Sequence, residues 1–177
     1  MAGISIDIEP EIVNEDRVEG LISRFAESYR RNVPQVMTEF GEELSQEFID
    51  SLREKILNQG FSHIPLNPAY LQSKIDRRLD SRILIATQEY LNSFVAERDE
   101  EADAGTIQFR CGVREGIHGP SGMTYQRLAR VHEYGSGRIP ARPHWRPHAA
   151  EFRTRAYQIA LQLRTRIAEA VKADLQD

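Results

Sequence analysis

Residues Tyr125–Arg146 read YQRLARVHEYGSGRIPARPHWR, and the rest of the chain is organised around them. The first half has helical spacing: Leu128 and Val131 share a face, with Tyr125 one turn earlier. Gly135 stands where a helix ends in a left-handed turn, which glycine adopts at little cost. Ser136-Gly137 continues that turn. Ile139-Pro140-Ala141-Arg142-Pro143 is held extended, because each proline disfavours the α region in the residue before it. Pro143 and Pro147 suit the opening turn of a new helix, where a missing N–H costs little.

Downstream, Phe152, Ala156, Ile159-Ala160, Leu163, Ile167 and Val171 recur at helical steps, so one helix is expected from about Pro143 to Leu175. Burying its large apolar side chains, at ~1.5–3 kcal/mol each, would make it a main stabiliser. Upstream, Ile4–Ile8 alternates apolar and polar residues, as a short edge strand or an arm that could add to a neighbour's sheet. Pro10 opens a helix whose apolar face is Val18, Leu21-Ile22, Phe25 and Tyr29, and Pro34 is expected to kink or break it. A second helix carries Met37, Phe40, Leu44, Phe48, Leu52 and Ile56 on one narrow stripe and stops at Asn58-Gln59-Gly60. That stripe suits packing on a sheet or on a neighbouring subunit's helix. Asn67-Pro68 begins a helix over Ala69–Leu79. Arg82–Ala86 reads as a short strand or bend, Thr87–Ser93 is ambiguous, and Phe94-Val95 continues extended.

The run Glu97–Asp103 holds five acids and one Arg and is followed by Gly105, the composition of an exposed hairpin tip. Thr106–Val113 alternates Ile107, Phe109, Cys111 and Val113 with polar residues, as a half-buried strand paired antiparallel with the preceding one. Gly116–Gly122 (GIHGPSG) reads as a flexible connection. These elements define an α+β fold: a small antiparallel sheet packed by helices, with a long N-terminal helical region and a long C-terminal helix. Residues 1–177 make a single domain, with an arm and helical region over 1–60 and an α+β core over 61–177.

The chain is 40% apolar and 28% charged, a globular composition, and it lacks a membrane-spanning run and a signal-like N-terminus. One cysteine excludes an internal disulfide and suits a reducing cytoplasm; Cys111 is expected buried, as a small apolar residue. The net charge of −4 hides an asymmetry. Residues 1–59 carry 13 acids against 6 bases, whereas residues 110–166 carry 11 arginines against 3 acids. Such a split marks an interaction surface with nucleic acid or an acidic neighbour, or arginines paired within the chain.

The order LA-x-V-x-E-Y-G … P-A-R-P-x-x-R-P, here Leu128-Ala129, Val131, Glu133-Tyr134-Gly135, Pro140-Ala141-Arg142-Pro143 and Arg146-Pro147, resembles the signature of phage tail-completion, or neck, proteins. That family is related to the virion-morphogenesis proteins of Mu-like phages and prophages. A second block, Pro65–Phe94, is also similar: the family shows a Pro-Leu, a Lys, then ILxxTGxLxxSI, with Thr87-Gln88 here in place of its Thr-Gly. The two blocks reach from Pro65 to the C-terminus. The resemblance implies an α+β fold and a structural virion protein of a tailed bacteriophage, not an enzyme and without cofactors. It implies a closed ring of six copies joining the head-side connector or head-closure protein to the tail terminator or tail tube protein, with packaged DNA passing through. The protein would be made in the host cytoplasm and end in the virion neck. Tail terminator and head-closure rings remain alternatives within the same biology, and a nucleic-acid-binding module using the arginine-rich half is the alternative of another class.

Of the candidate chemistries, a metal site at His132-Glu133, His144 and His148 lacks the HExxH pattern, and Pro147 disturbs the turn between the last two histidines. Nucleophilic catalysis by Cys111 with His132, or by Ser121 in GPSGM, lacks a supporting strand-to-helix elbow. Gly112–Gly122 carries no phosphate-loop or dinucleotide fingerprint. Pro140–Pro143 forms a PxxP, better read as a strap fixing the last helix than as a docking peptide. Catalytic, cofactor and metal residues are therefore none. The interface or lumen candidates are Arg110, Arg114, Arg127, Arg130, Arg138, Arg142 and Arg146, since arginine is the residue for bidentate carboxylate or phosphate contacts. Of these, Arg142 and Arg146 belong to the family motif and are expected to be structural or at an interface. The structural motif comprises Tyr134, Gly135, Pro140, Pro143, Trp145 and Pro147, with Trp145 an anchor into the core or, less favoured, into a neighbouring subunit.

Overall fold

A single helix, α1 (Glu15–Leu57), runs through the position where two were expected, with Pro34 inside it. In the computed structural model, which describes residues 15–99, 106–137 and 139–176, α1 lies antiparallel to the last helix, α6 (Ala156–Asp174). That pairing explains the continuity at Pro34. Before the proline, Arg31 bonds Asp174 at 2.5 Å and the Ser28 hydroxyl reaches the Val171 carbonyl at 3.5 Å. After it, Glu43 pairs with Arg166 at 2.7 Å and Glu47 with Arg155 at 2.5 Å. A partner helix tied on both sides offsets the ~3 kcal/mol that an interior proline costs. The Ile4–Ile8 strand and the helix start at Pro10 lie outside the described residues.

The C-terminal half of α1 builds the core. Ile49, Leu52 and Ile56 are buried there with Ile85, Tyr90, Leu91, Phe94, Tyr125 and Leu128. Ile49 was not on the expected stripe, while Met37 at its start is exposed. The helix closes with Gln59, not Gly60, in the left-handed region (φ 52°). The Gln59 side chain secures that turn by donating to the Ile56 and Ile83 carbonyls and accepting the Ile83 N–H.

The next helix, α2 (Pro68–Asp76), is capped by the Asn67 side chain on the Ala69 N–H. Its buried residue is not an apolar one but Lys74, whose Nζ donates to the Arg82 and Ile85 carbonyls. Arg82–Ala86 is a bend, and Thr87–Ser93 resolves into the short helix α3 (Glu89–Asn92). The antiparallel hairpin β1 (Phe94–Arg98) and β2 (Phe109–Val113) pairs Phe94 with Val113 and Arg98 with Phe109, and packs on α1. Most of the acidic turn between them lies outside the described residues. Gly41 makes room for that packing, because a Cβ there would stand 2.2 Å from the Phe109 ring. Cys111 is exposed rather than buried, although its Sγ turns toward the Ser45 carbonyl at 3.7 Å and desolvation pushes the thiol pKa up.

The Gly116–Gly122 stretch forms a small hairpin and not the flexible connection expected. Strands β3 (Ile117–His118) and β4 (Met123–Thr124) pair across it, and the Gly122 N–H bonds the His118 carbonyl at 2.8 Å. Helix α4 (Tyr125–Tyr134) follows directly. The expected single C-terminal helix is two: α5 (Trp145–Arg153) and α6. At the junction the Thr154 hydroxyl takes the Glu151 carbonyl, and the Thr154 and Arg155 N–H groups make tighter three-residue bonds. Of the apolar positions expected to bury α6, only Val171 is fully buried; Leu163 and Ile167 are half-covered and Ala156 and Ala160 exposed. The architecture is α+β, with two small antiparallel hairpins on a helical frame.

Candidate interaction surface and the strap that shapes it

The strap between α4 and α5 is built around a carboxylate. The Thr124 hydroxyl caps α4 on the Arg127 N–H, and the helix ends at Gly135 (φ 78°), whose N–H bonds the Val131 carbonyl. A side chain at Gly135 would meet the Ile139 carbonyl and the Ala141 N–H at 3.0 Å, so glycine is required for close backbone approach as well as for its conformation. Ser136 and Ile139 exchange two backbone bonds, and the Arg142 N–H returns to the His132 carbonyl at 2.6 Å.

That return sets the start of α5 over Glu133. Its carboxylate accepts the N–H groups of His144 (3.0 Å), Trp145 (3.1 Å) and Arg146 (3.1 Å), together with the Arg146 Nε (2.9 Å). One acid from α4 thereby satisfies three of the orphan donors at the next helix's N-terminus. Burial works to raise the Glu133 pKa, but these donors outweigh it and hold the carboxyl below its ordinary range. Pro147 occupies the first turn of α5, where its missing N–H breaks no bond.

The same turn locks into the core. His144 is fully buried; its Nδ1 donates to the Arg142 carbonyl (3.0 Å), leaving Nε2 to accept the Tyr90 hydroxyl at 2.8 Å. Trp145 packs against Phe94 with ring centres 4.7 Å apart and points its indole N–H at the Tyr90 oxygen. It is anchored in its own core. Desolvation lowers the His144 pKa to about 4 and that of its neighbour His132 to about 3, and His132 Nδ1 has no hydrogen-bond partner among the described residues. Pro143 presents its carbonyl to His63 Nε2 at 3.0 Å, while Pro140 is exposed.

The seven arginines divide. Arg142 is buried and donates to the Ile64 and Pro65 carbonyls at 3.3 and 3.5 Å, tying the strap to the loop before α2. Arg146 grips Glu133 and covers the exposed ring of Tyr134 at 4.6 Å. Both are girders. Arg110 pairs with Asp99 at 2.6 Å, and Arg114 lies 5.7 Å from the Tyr125 ring. Arg127 and Arg130, three residues apart on α4, are exposed and make no ion pair among the described residues. Arg138 lies outside the described residues. An outward basic face therefore comes from Arg127 and Arg130, with Arg114 at the foot of the same helix.

The other sequence candidates resolve as structure. Ser121 Oγ sits 2.9 Å from His118 Nδ1 but also takes the Met123 N–H, so it fastens the hairpin turn. His148 Nε2 donates to the Phe48 carbonyl, whereas both ring nitrogens of His144 are taken by the Arg142 carbonyl and the Tyr90 hydroxyl. Among the described residues no group of three His, Cys, Asp or Glu side chains could hold a metal ion, and no helix is long and apolar enough to cross a membrane. The roles of Glu133 and Lys74 escaped sequence reasoning. An acid two residues before a helix-ending Gly, and a basic residue inside an apolar helix face, were the available signals.

No family model, no curated protein and no solved structure matches the chain significantly.

Proposed function

We propose that the protein is a non-enzymatic structural component of a tailed-phage virion, a tail-completion or neck protein forming a closed ring, taken as six copies, between the head-side connector and the tail. The observation that carries this reading is the meeting of the two sequence blocks that resemble the family. Tyr90 from the first bonds His144 from the second, and Arg142 from the second holds the Ile64 and Pro65 carbonyls at the start of the first. Motifs that depend on one another in space are motifs of one folded unit. A further support is local: Gln88, where the family pattern has glycine, takes the left-handed conformation (φ 64°) that favours glycine.

In this reading the mechanism is geometric. A ring offers one face to the head-side connector or head-closure protein and another to the tail terminator or tail tube protein. Arg114, Arg127 and Arg130 face a neighbouring subunit's acids or the phosphates of passing DNA, which they would meet without reading sequence. The protein is then made in the host cytoplasm and ends in the virion neck. The outward Arg127 and Arg130, without an ion pair among the described residues, are also what a nucleic-acid-binding module would present, and steeply salt-dependent DNA binding by the isolated protein would favour that second reading.

The test is electron microscopy of a lysate from a phage carrying an early stop codon in this gene. Filled heads beside separate tails of normal length are expected. Tails of uncontrolled length would point to a terminator and emptied tailless heads to a head-closure ring. Intact virions would overturn the structural reading.

A further inference from the structure

Between α1 and α6 runs an open groove of about 680 Å³. Its walls are apolar: Phe25 and Tyr29 from α1, stacked with ring centres 6.2 Å apart, face Leu163 and Ile167 from α6. Phe25 is 51% exposed and Tyr29 47%, and Leu21 and Ile22 continue the open surface at 56% and 62%. The charged residues that line the groove are both basic, Arg164 and Lys172, and neither makes an ion pair among the described residues. Aromatic and aliphatic side chains left in water on this scale form a patch on the order of a few hundred Å², the size that marks a binding site on a soluble protein. The occupant should therefore be an apolar, acidic, narrow segment.

Residues 1–14 have that chemistry. Ile4, Ile6 and Ile8 alternate with Ser5, Asp7 and Glu9, and the segment holds three acids and no Lys or Arg. Extended, Ile4 to Ile8 covers about 13 Å at ~3.3 Å per residue. On α6, Leu163 to Val171 covers about 12 Å at 1.5 Å per residue. In an extended segment the three isoleucines would have the pitch of the groove's apolar floor, and Asp7 and Glu9 would fall on the opposite side. Reach is ample: fourteen residues span up to ~46 Å, and Phe25 lies only about 15 Å along α1 from Glu15.

We propose that residues 4–9 lie in the α1–α6 groove of their own chain, with the isoleucines on Leu163 and Ile167 and the acids on Arg164 and Lys172. The segment then shields an apolar face that would otherwise drive non-specific association. This proposal does not rest on the virion reading.

The test is a site-directed crosslink in the full-length protein with Cys111→Ser, which keeps a donor for the Ser45 carbonyl. Asp7→Cys with Arg164→Cys should link within one chain under a short bismaleimide, at least tenfold faster than Asp7→Cys with Arg130→Cys on α4. In a second protein, Lys172→Glu is added to the crosslinking pair, and the link should slow several-fold; Glu9→Lys in the same background should restore it. Thermal melts confirm that each variant is folded. Equal rates for the two cysteine pairs would overturn the proposal, as would links formed only between chains, which would make the occupant a second copy. A Lys172→Glu effect that Glu9→Lys does not reverse would overturn the assignment of the acids.

Discussion

Replacing Glu133 should be among the most damaging single changes outside the apolar core. Glu133→Ala strips the acceptor from the N–H groups of His144, Trp145 and Arg146 at once. His144 is fully buried and Trp145 half-buried, so water reaches the first donor poorly and the others in part. At ~1–3 kcal/mol for each donor left unsatisfied, discounted for the exposed Arg146, the loss is about 3–4 kcal/mol. For a domain of this size each kcal/mol moves the midpoint by ~2–4 °C, giving a fall of about 10 °C. Glu133→Gln keeps one acceptor oxygen but sets an NH₂ against the same donors, and should cost about 2 kcal/mol. Urea titration followed by fluorescence is well placed to read this, since Trp145 is the only tryptophan and its own N–H is one of the three donors. The control is Arg146→Ala. Its side chain is 62% exposed, so losing the ion pair alone should cost under ~1 kcal/mol. If Arg146→Ala costs as much as Glu133→Ala, the acid acts as an ion-pair partner and the helix-cap account is wrong.

Two glycines of α1 should respond in opposite directions to alanine. A Cβ at Gly20 would meet nothing within 4 Å among the described residues, so Gly20→Ala should add ~0.5–1 kcal/mol through helix propensity alone. Gly41→Ala pushes a Cβ into the Phe109 ring and should lose ~1–2 kcal/mol despite the same propensity gain, with Phe109→Ala removing the penalty in the double variant. Lys74→Met should cost ~2–3 kcal/mol in urea titration, because the Arg82 and Ile85 carbonyls lose their shared donor; a neutral result would mean water replaces it. Stability should fall as the medium is acidified. The folded-state pKa values of His132 (about 3) and His144 (about 4) lie below the ordinary 6.5, so the unfolded chain takes up protons first. Their contribution is complete above pH 6.5 and declines on the order of 1 kcal/mol per pH unit for each as the pH drops toward those values. His132→Leu, at a ring whose Nδ1 has no partner among the described residues, should flatten that slope when urea midpoints are compared between pH 7 and 4.5.

The elements legible in the sequence were those set by local chemistry. Asn67-Pro68 starts a helix through a cap that is visible in two letters, and Gly135 ends one because its φ of 78° suits no larger residue cheaply. The β1–β2 pairing followed from the alternation of Thr106–Val113 beyond an acidic turn, with Phe94-Val95 read as extended before it. What failed were judgements that depend on a distant partner. Pro34 was expected to interrupt a helix, and only the α6 splint, formed by residues 155–174, shows why it does not. The GIHGPSG stretch looked flexible by composition, yet the Ser121 side chain and the Gly122 N–H staple it into a hairpin. Lys74 was passed over because its two acceptors, Arg82 and Ile85, are carbonyls, which no side-chain pattern reveals.

The charge split illustrates the same limit at the scale of the whole chain. Eleven arginines in residues 110–166 against an acidic N-terminal third left two readings open, an interaction surface or arginines paired within the chain. The fold spends several of them internally: Arg155 and Arg166 on α1 acids, Arg146 on Glu133, Arg110 on Asp99 and Arg142 on two carbonyls. Net charge therefore overstates the basic surface, and Arg114, Arg127 and Arg130 are the outward remainder on and beside α4. If that face meets an acidic partner or DNA, Arg127→Glu with Arg130→Glu should abolish assembly or binding while leaving the melting temperature within ~2 °C, because both side chains are exposed and make no ion pair among the described residues. Arg142→Glu should instead unfold the strap and lower stability by several kcal/mol, since it would bury a carboxylate against the carbonyls of Ile64 and Pro65. Equal loss of stability from both changes would show that the α4 arginines are structural too, and the surface argument would fall with them.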